Sequence, residues 1–267
     1  MHCHSTYSDG SLSPSQLVSL AARLGLQCLS LTDHDTMRGS DEAAEAAAST
    51  DIRFIPGVEI SAYDFSRDKK VHILGYSIDK PEMIDEACAP FLKSRHELSL
   101  VKVVKIRQAG YPLTVEDALS HTGPDGTLYR QHIMHALVDM GYATAIYGDL
   151  NKILFKNGGP ADLKSEYMDA RDAVRLVREA GGIAAMAHPF LYESVGTLPE
   201  LIDAGLTALE CHHSSHVEGA ERYAYELSER YDLMPVGGSD FHGFYSEWPI
   251  ALGSVGMEDC NLLHPIW

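Results

Sequence analysis

Basic residues are scarce in this chain of 267 residues: 21 Lys and Arg stand against 38 Asp and Glu, a formal charge of −17. Duplex nucleic acid is gripped by neutralising its phosphates, so this balance excludes a long polyanion as the main partner. Cysteine is sparse as well. The five, Cys3, Cys28, Cys88, Cys211 and Cys260, are odd in number, scattered and free of any C-x-x-C pair. Neither a disulfide scaffold nor a thiolate zinc knuckle is indicated, and reduced thiols in a cytoplasmic protein are the expectation. No run approaches the roughly 18 uninterrupted apolar residues of a spanning helix, and no basic-then-apolar leader precedes the first motif, so no membrane partner is expected. Glycine-rich dinucleotide loops, P-loops, G-x-S-x-G elbows and H-E-x-x-H pairs are all missing. That removes nucleotide-cofactor, P-loop, serine-esterase and zincin chemistry. What the chain has in excess is histidine, 14 residues.

At 45% hydrophobic residues the chain is ordinary for a globular core, and its length suits one large domain or one domain with an insertion. Short β-rich runs at 27–31, 52–55, 71–78, 183–187, 206–209 and 234–236 alternate with amphipathic helical patterns. This is the mark of βα units feeding a mostly parallel sheet or barrel. Ser13 caps a helix that Pro14 opens, Leu17, Leu20, Ala21 and Leu24 form its apolar face, and Gly25 stops it. A second helix is expected over 169–180, with Gly181 behind it. The rhythm lapses between 82 and 168, where the pattern is helical at 83–109 and 131–140 and is broken at Gly123-Pro124-Asp125-Gly126 and Asn157-Gly158-Gly159-Pro160. The expected organisation is a barrel from 1–81 and 169–267 with an inserted, mainly helical, substrate-capping subdomain at 82–168. Only Met1 precedes His2-Cys3-His4, so the first strand is expected to be missing or very short, as in a chain truncated at its start.

The acidic residues and histidines fall where these runs end. His2 and His4 lie at i and i+2, on one side of an extended chain, with Cys3 facing away. Asp9 follows in a turn-like segment. Later runs end at Asp33-His34-Asp35, Glu59, His188-Pro189, Glu210 and Asp240-Phe241-His242, and His72 sits between Val71 and Ile73. The C-terminal ends of barrel strands converge on one face, where sites are built. Taken singly, each residue has a plainer account: a His-x-His pair is a weak signal, His72 reads as a core histidine, and Asp35 as a loop or cap residue. Asp33 reads equally well as a carboxylate orienting His34, and Glu210 as a supporting group rather than a ligand. The joint placement decides. His2, His4, Asp9, His34, Glu59, His72, His188, Asp240 and His242 are too many donors for one tetrahedron, and oxygen and imidazole ligands without thiolate suit two or three Zn, Mn or Fe ions. His212, His213 and His216 are expected as exposed loop residues, with a general acid at the rim as the alternative. His96, His121, His135 and His264 have no motif context.

His2-x-His4 with Asp9-Gly10, Thr32-Asp33-His34-Asp35, Pro56-Gly57-Val58-Glu59, His188-Pro189 and Gly238-Ser239-Asp240-Phe241-His242, in that order, resemble the motif series of the polymerase and histidinol phosphatase (PHP) family of metal-dependent phosphoesterases. The insertion with Tyr129-Arg130-Gln131-His132 is similar to the branch acting on nucleotides, such as nucleoside 3′,5′-bisphosphate phosphatases and short-RNA 5′ exonucleases. The resemblance implies a distorted seven-stranded (β/α) barrel with a trinuclear site. It places His2, His4, Glu59 and Asp240 on one ion, Glu59 bridging to a second completed by His72 and His188, and Asp9, His34 and His242 on a third. It also implies hydrolysis of a phosphomonoester by a metal-bridging hydroxide, with Glu59 and Asp240 at the catalytic centre. Arg95, Arg130 and His132 would bind substrate, the arginines as forks for a second phosphate. Leu98 and His135 stand where such members carry basic residues, and Phe190 where Gly is common; these departures bear on substrate, not on metal.

The expected substrate is a small phosphorylated nucleotide or a short oligonucleotide end, and the oligomeric state is left open. Rival readings are a phosphatase of histidinol phosphate or a sugar phosphate, an amidohydrolase on a His-x-His barrel, and a non-catalytic metal-binding module.

Overall fold

The computed structural model describes residues 1–257; Cys260 and His264 lie outside them. In chain order the elements are α1 (Pro14–Arg23), β1 (Cys28–Leu31), α2 (Ser40–Ala47), β2 (Arg53–Asp64), β3 (Lys69–Tyr76), α3 (Pro81–Gln108), α4 (Val115–Leu119), α5 (Arg130–Asp139), α6 (Asp149–Phe155), β4 (Met168–Asp169), α7 (Ala170–Glu179), β5 (Ile183–Met186), α8 (Leu198–Asp203), β6 (Ala208–His213), α9 (Ala220–Tyr231) and β7 (Met234–Gly238). The expected helix starts form for the expected reasons. Ser13 accepts from the Gln16 N–H while Gln16 reaches back to the Ser13 N–H, and Pro14 occupies the first turn. Asp169 caps α7 by accepting from the Arg171 N–H.

The sheet runs β1-β2-β3-β5-β6-β7, with β4 paired to β2. The N-terminal segment lies between its outer strands: Cys3 bridges to Phe241 beyond β7, the His4 N–H donates to Phe241 O at 2.9 Å, and the Thr32 N–H beyond β1 donates to Cys3 O at 2.9 Å. The sheet therefore curls into a distorted barrel, and a single bridge at Cys3 does the work of a first strand. Gly238 makes this possible, because a Cβ there would stand 2.3 Å from His2 Cβ.

One departure from the expected pattern matters for the site. The run expected at 52–55 continues to Asp64: residues 53–56 pair parallel with β1, and 57–64 pair antiparallel with β3. The partner changes after Pro56, which has no N–H to give a ladder. Glu59 and His72 therefore sit inside a long hairpin rather than at strand ends, and β3 is also antiparallel to β5. The sequence conceals this because β2 and β3 are buried on both faces, and such a continuous apolar run reads alike in parallel and antiparallel strands.

The main apolar core joins β2, β3, β5 and β6 to α7, α8 and α9 through residues such as Ile60, Ile73, Val174, Val177, Leu201 and Leu227. Each fully buried Val or Leu contributes about 1.5–3 kcal/mol. A separate cluster built on α3 to α6 includes Ile106, Leu128, Ile133, Leu137 and Leu154, and it also takes in Tyr245 from beyond β7. Among the described residues no helix is long and apolar enough to cross a membrane.

Candidate metal centre and substrate cavity

The nine expected donors come together in one buried cluster around Glu59. Its Oε1 lies 2.8 Å from both His72 Nδ1 and His188 Nε2. Its Oε2 lies 3.2 Å from His2 Nε2 and His4 Nε2 and 3.3 Å from His34 Nδ1. Asp240 Oδ1 stands 3.1 Å from His4 Nε2 and 3.3 Å from His2 Nε2, and Asp9 Oδ1 stands 3.3 Å from His242 Nε2. His2 and His4 share a side because they alternate around Cys3, whose thiol turns away to donate to Ser30 O.

The backbone around the cluster is bent to reach it. Asp35, His188 and Asp240 have φ of 60°, 24° and 53°, a region unfavourable for residues with a Cβ and one that collects at functional sites. Gly10 closes the turn that carries Asp9; a Cβ there would lie 2.1 Å from His4 O. Asp33 holds the same turn, accepting from the Ser5 N–H at 2.7 Å and the Ser5 hydroxyl at 2.6 Å. Its carboxylate is bonded to this segment and not to His34, so it positions Asp9 and His4 rather than orienting the neighbouring imidazole. Glu210 does orient an imidazole: it accepts from His2 Nδ1 at 3.0 Å and from the His188 N–H at 2.7 Å.

Burial resists charge on His2, His4, Asp9, His34, Glu59, His72, His188 and Asp240, and their mutual attraction overrides it in all but His34 and His72. Burial alone would lower His2, yet Asp240, Glu210 and Glu59 raise it to about 10. Glu59 and Asp240 are held well below the usual carboxylate range, against burial, by the surrounding imidazoles. His34 goes the other way, pushed down to about 3 chiefly by burial. Several atoms in this tightly charged space have no hydrogen-bond partner although buried: His2 Nε2, His4 Nδ1 and Asp9 Oδ1. Orphaned buried polar atoms cost about 1–3 kcal/mol each, and a divalent cation, taking the place of the ring protons, satisfies them. The donor set fits that role. Ligand atoms of His2, His4, Glu59 and Asp240, of His4, Asp9, His34 and His242, and of His34, Glu59 and His72 each fall within 4.8 Å of one another.

A cavity of about 870 Å³ opens on the cluster, with Asp9, His34, Glu59, His72, His188 and Asp240 in its floor. Arg95, Lys102, Arg130 and Lys70 also line it, interleaved with Tyr129 and Tyr147. Arg95 is partly committed: its Nη2 donates to Asp35 Oδ2 and Ser61 Oγ, both at 3.0 Å, and its guanidinium lies over the Tyr129 ring. Arg130 lies over Tyr147. His132 is not in the lining. It is buried and accepts from the Tyr129 N–H as part of the α5 cap, whereas the preceding residue, Gln131, is in the lining. That amide donates to Asp9 Oδ2 at 2.7 Å and to the Tyr147 hydroxyl at 3.1 Å.

Other residues of the site had no role from the sequence. Lys70, Lys102 and Tyr147 carried no motif signal, and Gln131 lay within the Tyr129-Arg130-Gln131-His132 segment with no role of its own. His213 was expected as an exposed loop residue, but it ends β6, is buried, and places Nε2 3.4 Å from Asp240 Oδ2. Strand alternation from Glu210, with one residue of bulge between Glu210 and His212, would have brought it inward. His212 is turned outward to the Tyr225 hydroxyl.

A family model described as the PHP domain matches residues 1–184. This chain belongs to the PHP family. The match stops short of His188, Asp240 and His242, which the fold returns to the same cluster. The PHP chain is 41% identical over 250 residues to a phosphoribosyl 1,2-cyclic phosphate 1,2-diphosphodiesterase from Eggerthella lenta, covering 93% of this chain and 95% of that one. It is 34% identical to a 3′,5′-nucleoside bisphosphate phosphatase from Chromobacterium violaceum, covering 91% and 86%. A crystal structure from Bifidobacterium adolescentis, provisionally named a metal-dependent phosphoesterase, superposes with a TM-score of 0.88 at 30% identity, covering 98% of this chain and 92% of that one. The PHP protein is thus a metal-dependent phosphoesterase.

Proposed function

We propose that this phosphoesterase hydrolyses a phosphate ester of a small nucleotide or ribose that carries two phosphate groups. The observation behind this reading is the cavity itself: a cluster of metal donors forms its floor, and five cations, Lys70, Arg95, Lys102, Arg130 and Lys164, are among the residues that line the same space. Lys102 records how crowded those cations are, being pushed down to about 8 by burial and by Arg130, Arg95 and Lys70. Such a group of like charges is stabilised by an anion arriving among them. The volume suits a single small ligand, and the acidic exterior disfavours long nucleic acid.

Under this reading His2, His4, Glu59 and Asp240 hold one divalent ion, Glu59, His72 and His188 a second, and Asp9, His34 and His242 a third, the metal being Zn, Mn or Fe. When bound, the ions supply an acidified water and draw charge from the phosphoryl oxygens. Glu59 and Asp240 fix where that charge is met. Glu210 keeps the Nδ1 proton of His2 on its own side, leaving Nε2 for the cluster. Gln131 ties Asp9 to the α5 side of the cavity. Arg130, with Lys102, receives the second phosphate, and Arg95, already paired with Asp35, holds the wall between them. Cys3, Cys28, Cys88 and Cys211 form no disulfide among the described residues, which accords with a cytoplasmic setting.

A cyclic phosphate is the second reading, favoured by the relative from Eggerthella lenta, whose named substrate also pairs a phosphoribosyl group with a further phosphate. The test is hydrolysis by the Mn-, Zn- or Fe-loaded protein, read by phosphate release from adenosine 3′,5′-bisphosphate, AMP and histidinol phosphate and by chromatographic detection of the ring-opened product and of phosphate from phosphoribosyl 1,2-cyclic phosphate. A kcat/KM for one of the doubly phosphorylated compounds at least tenfold above AMP and histidinol phosphate is expected. Equal turnover of all four would refute the two-phosphate reading.

A further inference from the structure

Outside the cavity, three side chains of the helical stretch are arranged as metal ligands. His135 and Asp139 stand at i and i+4 on α5, one turn apart on the same face. His121, two residues beyond the end of α4, reaches the same place. His121 Nε2 lies 3.2 Å from Asp139 Oδ2 and His135 Nε2 lies 3.8 Å from Asp139 Oδ1. The two imidazoles stack with centroids 3.9 Å apart, and one ligand atom from each residue falls within 4.8 Å of the other two.

Ordinary ion pairing accounts poorly for this arrangement. Pairing with Asp139 would favour protonated imidazoles, but two imidazolium rings in face-to-face contact repel each other. His135 in fact shifts downward from the usual histidine value, through burial first and His121 next. Its Nδ1 lies 2.9 Å from the hydroxyl of the buried Tyr245. With the Nδ1 proton donated there, the Nε2 lone pair faces His121 and Asp139. An outer hydrogen bond of this kind sets the tautomer of a ligating histidine. Around a tetrahedral zinc, with bonds of about 2.0–2.1 Å, ligand atoms lie roughly 3.4 Å apart. The observed separations bracket that figure.

We propose that His121, His135 and Asp139 form a zinc site separate from the Glu59 cluster, with a water as fourth ligand on the exposed side of Asp139. Two imidazoles and one carboxylate, without thiolate, are a donor set that zinc takes readily. The ion joins the end of α4 to the end of α5. Through the His135–Tyr245 contact it also ties both to the turn that follows His242.

The experiment uses the full chain with its Glu59 cluster loaded, titrated with additional Zn²⁺ and read by metal content after gel filtration and by Tm. The wild type is expected to retain one zinc equivalent more than Asp139→Asn and His121→Ala, with a zinc-dependent rise in Tm on the order of 5 °C that both variants lack. Asp139 is largely exposed, so its substitution leaves folding intact even if His121→Ala does not. Titration with Co²⁺ adds a visible tetrahedral absorption band in the wild type alone. If the wild type and Asp139→Asn retain the same zinc content and show the same Tm response, the proposal is overturned. Because the readouts are content, Tm and spectrum, the result is independent of any hydrolytic assay.

Discussion

Replacing Glu210 by Gln tests whether the cluster is organised by its buried support. The carboxylate is fully buried, accepts from two directions, and is held below its ordinary pKa against burial by His2 and His213. Gln has the same shape but only one acceptor. If its oxygen keeps the His188 N–H, its amide N–H₂ meets His2 Nδ1. The imidazole must then carry its proton on Nε2, the atom that faces Glu59 and Asp240. Loss of such an orienting partner costs 10–100-fold in metal affinity or activity, about 1.4–2.7 kcal/mol. Metal affinity is to be measured by competition with a chromophoric chelator, metal content by mass spectrometry, and kcat/KM on the best phosphoester. The expected result is a 10–100-fold loss of affinity that excess metal partly restores, with Tm of the metal-free protein lowered by a few degrees. A Glu210→Gln variant that binds metal as tightly as the wild type, with kcat/KM unchanged, would refute the assignment of Glu210 as the group that sets the His2 tautomer.

Chelation of the metal should abolish phosphate release and lower Tm, and readdition of Zn, Mn or Fe should restore both, because the buried orphaned donors regain a partner. Arg130→Ala is expected to raise KM about tenfold or more for a doubly phosphorylated substrate and to leave kcat within a few-fold; steady-state kinetics against AMP as control distinguishes this from a general loss. Asp64 is buried and accepts from Ser66, Arg67, Arg171 and Thr197, and these donors hold its pKa low against the effect of burial. Asp64→Asn should cost about 2 kcal/mol by denaturant titration at pH 7, a figure reduced for the exposure of the arginines. Because the folded-state pKa is depressed, the difference from wild type should be complete above the unfolded value of about 3.9 and shrink as pH falls below it. Gly10→Ala, which places a Cβ 2.1 Å from His4 O, should weaken metal binding more than it lowers the Tm of the metal-free protein, since it displaces the turn bearing Asp9.

What was legible in the sequence were the features that leave a local mark. Ser13, Pro14, Gly25 and Asp169 announced helix ends, and the alternation of His2, Cys3 and His4 announced which side chains share a face. Donors at run ends pointed to one bowl because barrel geometry brings those ends together. The antiparallel hairpin of β2 and β3 was not legible, since residues buried on both faces lose the period of two that would have revealed it. Gln131, though part of a quoted segment, was given no role because a neutral amide signals none until its partner, 122 residues away in Asp9, is known. His213 was lost in a group of three histidines whose orientation depends on a bulge. His132 entered as a substrate group through the resemblance carried by Tyr129-Arg130-Gln131-His132, and a bond from the Tyr129 N–H to its ring, formed only once α5 is capped, leaves no mark in the sequence.

The hairpin has a consequence for how such an enzyme is altered by recombination. The chain leaves β3 at Tyr76, opposite Gly57, and returns at Met168, opposite Ala62, five residues or roughly 17 Å farther along β2. Helix α3, with 28 residues and a length of about 42 Å, opens the connection between these two points and presents Arg95 and Lys102 to the cavity. The material between β3 and β4 is therefore joined to the barrel at two separated levels of β2, not hung from a single opening. A graft from a related protein that exchanged only the shorter helices would keep the recipient's cationic strut beneath a foreign roof. Substrate preference should transfer only with a crossover placed before α3.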